Sequence, residues 1–203
     1  MTSLTPARSE LILGGQKSGK SRRAELLARD WLGTSASHRA LLIATAQAWD
    51  DEMRQRIDRH QADRAERVPG MTTLEEPLQL AQAIAAHSQP DTLIVVDCLT
   101  LWLTNILMPA AAPISGLANE YVTNQLVALM DKSLAAPLLE AISDASGPLV
   151  LVGNEIGLGV IPLGREVRAF VDALGLLNQS VAAVCQRVTL MAAGLPLTLK
   201  DVP

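Results

Sequence analysis

Aromatic side chains are nearly absent from this chain: one Phe, one Tyr and three Trp stand among 203 residues. That scarcity leaves no stacking platform for single-stranded nucleic acid. The basic surplus on which a general nucleic-acid binder relies is missing as well, since the formal net charge is −4. Cysteine is equally sparse. Cys98 and Cys185 stand alone, without metal-ligand or redox spacing, so they read as buried reduced thiols. The segment Met1–Glu10 has no apolar signal core, and no run approaches ~18 consecutive apolar residues. A soluble, cytoplasmic protein without a membrane span and without nucleic acid as partner is expected. What remains is 49% hydrophobic and 19% charged, a globular composition expected to form a single domain over residues 1–203.

Against these absences one segment stands out. Gly14-Gly15-Gln16-Lys17-Ser18-Gly19-Lys20-Ser21 matches the phosphate-binding loop pattern G-x-x-x-x-G-K-[ST] at every fixed position. It follows the apolar run Leu11-Ile12-Leu13 and precedes the helix-forming run Arg22-Arg23-Ala24-Glu25-Leu26-Leu27, the context such a loop needs. Glycines let main-chain N–H groups converge on phosphate oxygens, and the next helix adds its positive end. Lys20 brings a cation to the β- and γ-phosphates, and Ser21 offers a hydroxyl to Mg²⁺. The chain is expected to bind ATP or GTP with Mg²⁺.

Five apolar runs bounded by turn residues read as buried strands: Leu11–Leu13, Ala40–Ala44, Leu93–Val96, Leu149–Val152 and Val188–Ala192. A sixth, Leu197–Leu199, follows Gly194 and Pro196 closely enough to form an antiparallel hairpin with the fifth. Helices are expected over Lys20–Leu32, about Asp51–Arg67, Leu74–Ala86, Asn119–Ile142 and Arg165–Val184, with a flexible loop at Pro109–Leu117. Strand alternating with helix means an α/β fold of the P-loop NTPase, RecA-like kind: a mostly parallel sheet with helices on both faces. Ligands then gather beyond the carboxyl ends of the strands, at the phosphate loop, Thr45-Ala46-Gln47, Asp97-Cys98 and Gly153-Asn154-Glu155.

Asp97 ends Leu93-Ile94-Val95-Val96 and is placed as the second acidic partner of Mg²⁺, or else as the cap of a helix starting near Leu99. Glu155, one strand later on the same rim, has three readings: it positions a hydroxyl nucleophile, binds metal or orders its loop. In the segment from Asp50 to His60, Met53, Ile57 and His60 fall at i, i+4 and i+7, which puts the imidazole on the inward face. Arg54, Arg56, Arg59, Arg64 and Arg67 crowd the same stretch. They form either a solvated face or a phosphate-binding one.

Together these segments resemble one family over nearly the whole chain, the bifunctional adenosylcobinamide kinase / adenosylcobinamide-phosphate guanylyltransferases of cobalamin biosynthesis. The resemblance is carried by the phosphate loop, Ala44-Thr45-Ala46-Gln47, Asp50-Asp51-Glu52-Met53, Arg56-Ile57-Asp58-Arg59-His60 and Thr73-Leu74-Glu75-Glu76-Pro77. It continues through Val96-Asp97-Cys98-Leu99-Thr100-Leu101-Trp102-Leu103-Thr104-Asn105, Gly153-Asn154-Glu155-Ile156-Gly157, Gly164-Arg165 and Leu177-Asn178-Gln179. It implies two reactions: phosphorylation of adenosylcobinamide by ATP or GTP, then transfer of GMP from GTP through a histidine to the cobinamide phosphate. By the same resemblance His60 is the guanylylated residue, and Thr45, Ala46, Gln47, Gln61, Ala62, Asp63, Arg64, Glu75 and Asp97 contact nucleotide. A trimer is implied as well. The competing readings are a monofunctional small-molecule kinase with a structural His60, and a nucleotide-dependent switch. No Asn-Lys-x-Asp guanine-recognition sequence occurs in the chain to support the switch.

Overall fold

The computed structural model describes residues 5–48, 51–108 and 135–202, apart from the side chains of Glu52 and Arg56. In chain order the elements are β1 Ser9–Gly14, α1 Lys20–Thr34, β2 Arg39–Ala44, α2 Asp51–Arg67, β3 Met71–Glu75, α3 Leu80–His87, β4 Thr92–Asp97 and α4 Leu99–Leu107. Then come α5 Ala135–Ser143, β5 Leu149–Val152, α6 Arg165–Val184, β6 Arg187–Ala192 and β7 Leu195–Asp201. The loop expected at Pro109–Leu117 and most of the helix expected over Asn119–Ile142 lie outside the described residues. The end of that helix is present as α5.

The strands form one seven-stranded sheet in the order β3-β2-β4-β5-β1-β6-β7. All neighbours are parallel except β6 and β7, which form the expected antiparallel hairpin with a register shift between Val188 and Thr189. Alternation along the strands feeds two separate cores. Leu11, Leu13, Leu41, Ile43, Ile94, Val96, Leu149 and Leu151 pack under α3, α4, α5 and α6. Their odd neighbours Ile12, Leu42, Leu93, Val95, Val150 and Val152 meet Ala24, Leu27 and Ala28 of α1. Each fully buried Leu or Ile stabilises the fold by about 1.5–3 kcal/mol relative to exposure. Placing β5 between β1 and β4 separates the phosphate-loop strand from the Asp97 strand by one strand, as in RecA-like folds.

One charge lies inside this apolar body. Glu10 is fully buried on β1, where its carboxylate accepts from Arg23 of α1 at 3.0 Å and from the Thr189 hydroxyl of β6 at 2.8 Å. Arg187 approaches at 3.6 Å. A buried carboxylate is tolerated only with such partners, so Glu10 ties β1 to α1 and to β6.

The sequence reading needs one correction here. The helix expected over Leu74–Ala86 is a short edge strand, β3, followed by the shorter α3. Pro77 separates them: it disfavours helical geometry at Glu76, whose carboxylate instead accepts from the N–H groups of Leu78 and Gln79. Helix α6 is long and apolar enough to span a membrane by length and composition. Its residues Ala173, Leu174, Leu177 and Val181 are packed into the core.

Gly147 precedes β5 where a Cβ would stand 2.0 Å from the Gln89 carbonyl oxygen and 2.5 Å from that of Thr92. Both obstacles are backbone and cannot swing away. Gly147→Ala should therefore destabilise the fold by about 3 kcal/mol, lowering Tm by roughly 6–12 °C for a domain of this size. A melting curve within about 2 °C of wild type would show that the chain relaxes around the methyl group.

Candidate active site

Five strands deliver residues to one edge of the sheet. The phosphate loop leaves β1 through Gly14, whose φ of 153° and surroundings exclude a side chain: a Cβ would lie 2.5 Å from the Met191 carbonyl oxygen. Lys17 and Gly19 also take positive φ, 55° and 100°, so the main chain reverses sense within a few residues and turns N–H groups inward. The loop is held from both sides. The Glu155 N–H donates to the Gly14 carbonyl at 3.1 Å, and the Gly194 N–H of the β6–β7 turn donates to the Ser18 carbonyl at 3.1 Å. Lys20, the first residue of α1, is buried and donates from Nζ to the Gly15 carbonyl at 2.7 Å, inside the arc of the loop. Gly15, Gln16 and Lys17 are exposed, Ser18 is buried, and Ser21 is half-buried in the first turn of α1.

Beyond β2, Thr45 is fully buried. Its hydroxyl donates to the Cys98 carbonyl at 2.7 Å and accepts from the Cys98 N–H at 2.9 Å. Asn105 of α4 donates to the Thr45 carbonyl at 2.7 Å and to that of Pro77 at 3.1 Å. The Thr45 side chain thus holds the peptide that follows Asp97, while Ala46 and Gln47 are half-buried. Asp97 itself is half-buried at the end of β4. The cap of α4 is not Asp97 but Cys98, whose sulfur accepts from the Leu101 N–H. Burial, and secondarily the Asp97 charge, pushes the Cys98 thiol up to about 11, which leaves it protonated and inert as a nucleophile.

Two adjoining pockets open between α2 and the ends of β2 and β3. One, of about 390 Å³, is lined by Gln61, Arg64, Ala65, Met71, Thr73 and Glu75. The other, of about 510 Å³, is lined by Ala46, Gln47, Arg54, Ile57, Asp58, Gln61, Glu75 and Pro77 among others. Gln61 and Glu75 border both. Arg64 is the half-buried cation of this region. It donates to the Thr73 hydroxyl at 3.2 Å, and burial lowers its guanidinium below the ordinary value against the opposing pull of Glu25 and Asp97. Arg67 pairs with the buried Glu25 of α1 at 2.7 Å and with Asp63 at 3.0 Å.

The inward stripe of α2 runs through Ile57, Gln61, Arg64 and, just past its end, buried Val68. His60 is exposed and lines neither pocket, which corrects its expected inward position. The reason is that α2 is polar around its whole circumference and packs by this narrow stripe rather than by a broad apolar face. The neighbours of His60 divide. Gln61 and Arg64 line a pocket, Ala62 is exposed, and Asp63 is engaged with Arg67. Two residues escaped sequence reasoning. Glu25 was legible only as an acid one turn past Ser21. Asn178 of α6 is buried beneath Glu155 with no polar pattern to announce it.

Among the described residues no cluster of three or more His, Cys, Asp or Glu side chains could hold a metal alone. The hydroxyl of Ser21 and the carboxylate of Asp97 are hard oxygen donors. They suit Mg²⁺ that arrives with nucleotide and takes its remaining ligands from phosphates and water.

A phosphate loop and an Asp-tipped strand are common to many nucleotide enzymes; the sequence beyond them is specific. The family described as cobinamide kinase / cobinamide phosphate guanyltransferase matches residues 10–199. The chain belongs to that family. It is 44% identical over 194 residues to the bifunctional adenosylcobalamin biosynthesis protein CobP of Pseudomonas aeruginosa, covering 96% of this chain and 98% of that one. The bifunctional adenosylcobalamin biosynthesis proteins CobU of Escherichia coli and Salmonella typhimurium are each 33% identical over 190 residues, covering 94% of this chain and 98% of theirs. Membership in the cobinamide kinase / cobinamide phosphate guanyltransferase family thus spans the whole sheet, including α2 and the hairpin.

Thr45→Val keeps shape but strands the buried Cys98 N–H, while the Cys98 carbonyl keeps its bond from the Trp102 N–H. Unfolding in urea should show a loss of about 1–3 kcal/mol. A change under about 0.5 kcal/mol, the range of an inert surface substitution, would mean that Thr45 does not hold this peptide.

Proposed function

We propose that this protein catalyses two successive transfers on adenosylcobinamide at one nucleotide site. In the first, the hydroxyl of the aminopropanol arm attacks the γ-phosphorus of ATP or GTP. The new O–P bond forms as the bond to the β-phosphate oxygen breaks, and the nucleoside diphosphate leaves. In the second, an imidazole nitrogen of His60 attacks the α-phosphorus of GTP and pyrophosphate departs. A phosphate oxygen of adenosylcobinamide phosphate then attacks that phosphorus and breaks the P–N bond, giving adenosylcobinamide-GDP.

The observation that carries this reading is the shared edge. The phosphate loop with Lys20 and Ser21, the Asp97 carboxylate, and the two pockets under α2 all sit at the carboxyl ends of strands of one sheet, with β5 between the loop strand and the Asp97 strand. Lys20, the first residue of α1, carries the cation that such a loop brings to the β- and γ-phosphates. Arg64, already half stripped of water and facing carboxylates, is suited to an anion. Gln47, Gln61 and Glu75 border a volume of the size a base and ribose require. Mg²⁺ bound by Ser21 and Asp97 would neutralise charge on the transferred phosphoryl group. Support for His60 comes from its place beside Gln61, one turn before Arg64.

The exposure of His60 favours the runner-up, a kinase without guanylyl transfer, and experiment separates the two. Lys20→Ala should lower phosphoryl transfer by a factor of about 10²–10³; turnover near wild type in a folded variant would overturn the loop assignment. Wild type incubated with α-labelled GTP should form a covalent adduct that is acid-labile and alkali-stable, as a phosphoramidate is. His60→Ala should form none while keeping most of its kinase turnover. Labelling that persists in His60→Ala would assign the nucleophile to another residue, and no labelling of wild type would leave the kinase reading alone.

A further inference from the structure

The loop after β5 contains a carboxylate whose support exceeds what loop ordering requires. Strand β5 lies between β1 and β4, with Val152 in register with both Ile12 and Asp97. Three residues on, Glu155 therefore stands between the phosphate loop and Asp97, and its own N–H bonds the Gly14 carbonyl at 3.1 Å. Its neighbour Asn154 donates its N–H to the buried Thr100 hydroxyl of α4 at 2.9 Å. From α6, Asn178 donates through Nδ2 to the Asn154 carbonyl at 3.1 Å and to Glu155 Oε2 at 3.4 Å. The other carboxylate oxygen, Oε1, accepts from the Gly157 N–H at 3.1 Å.

The orientation of Asn178 is informative. Both partners of Nδ2 are acceptors, so the amide nitrogen must face them. That leaves Oδ1 buried beside Gly153 with no hydrogen-bond partner. Burying an unsatisfied amide oxygen is costly, and native folds rarely retain one without a reason. The cost is incurred on the side away from Glu155, in exchange for a bond that fixes the carboxylate of a residue whose own N–H holds the phosphate loop. A loop held only for its shape would be secured by its backbone bonds to Gly14 and Thr100.

We propose that Glu155 is the group that orients and deprotonates the acceptor alcohol in the kinase step, and that Asn178 is its positioning residue. As the alcohol oxygen bonds the γ-phosphorus and the diphosphate leaves with its electron pair, the hydroxyl proton passes to the Glu155 carboxylate and then to solvent. The guanylyl transfers need no such base at the attacking atom, because the unprotonated imidazole nitrogen and the phosphate oxygen attack through free lone pairs. This inference rests on the two-step reading above and divides its chemistry between two ends of one edge.

Glu155→Gln tests it, since the amide keeps size and the acceptor oxygen for Gly157 but removes basicity. With adenosylcobinamide and GTP or ATP, kcat for phosphorylation should fall about 100-fold or more. KM for nucleotide should hold, and the adduct from α-labelled GTP should still form. Asn178→Leu should lower the same kcat about 10-fold at constant nucleotide KM, because it releases the carboxylate without removing it. Kinase turnover within about threefold of wild type in Glu155→Gln would overturn the proposal. So would parallel loss of phosphorylation and adduct formation in a variant with wild-type melting behaviour. Should wild type itself neither phosphorylate adenosylcobinamide nor form an adduct, the broader functional reading falls instead.

Discussion

The structure depends on main-chain hydrogen bonds that grip the phosphate loop from its two neighbours. A loop that presents N–H groups to phosphate spends its own donors on the ligand, so its carbonyls must be held by something else. Here Gly14 is held by the β5 loop and Ser18 by the β6–β7 turn. The strand order follows from that need, because β5 and β6 are the strands that flank β1. The absence of a side chain at Gly14 has the same origin, since the Met191 backbone of β6 occupies the space a Cβ would fill. Loop geometry, sheet topology and the place of Glu155 are thus one constraint seen at three scales.

Helix α2 obeys a different logic. It has no apolar stripe wide enough to seat it, and its attachment is concentrated at its carboxyl end. There Val68 is buried, Arg67 meets Glu25, and Arg64 reaches Thr73. The Arg67 side chain is 40% exposed, so water screens its ion pair and limits what it adds to stability. The rest of the helix carries His60 and one wall of both pockets.

Most of the architecture was legible because parallel strands buried on both faces leave unbroken Val, Ile and Leu runs. The phosphate loop was legible because its glycines and lysine are fixed by geometry. Strand β3 was not, because an edge strand with only Met71 and Leu74 half-buried carries almost no apolar signal. Its neighbour Pro77 was the one mark that could have divided it from α3. The outward position of His60 was hidden for a related reason: periodicity predicts a buried face only where burial drives the packing, and in α2 charge does. Thr45 was read from the resemblance as a nucleotide contact, and what the sequence did not show is that its hydroxyl bonds Cys98, 53 residues away. Asn178 and Glu25 act through partners distant in sequence, and no local pattern announces such pairings.

The flanking of β1 by β6 has a consequence for how the molecule is made. Glu10 and Thr189, which hydrogen-bond across those strands, are 179 residues apart in the chain. At ribosomal rates of about 5–20 residues per second, roughly 9–36 s separate the synthesis of one from the other. During that interval β1 lacks β6, the Glu10 carboxylate lacks both Arg187 and Thr189, and the glycine loop lacks the turn that bonds Ser18. A chain stalled before β6 would leave one side of a central strand open to whatever else is folding nearby.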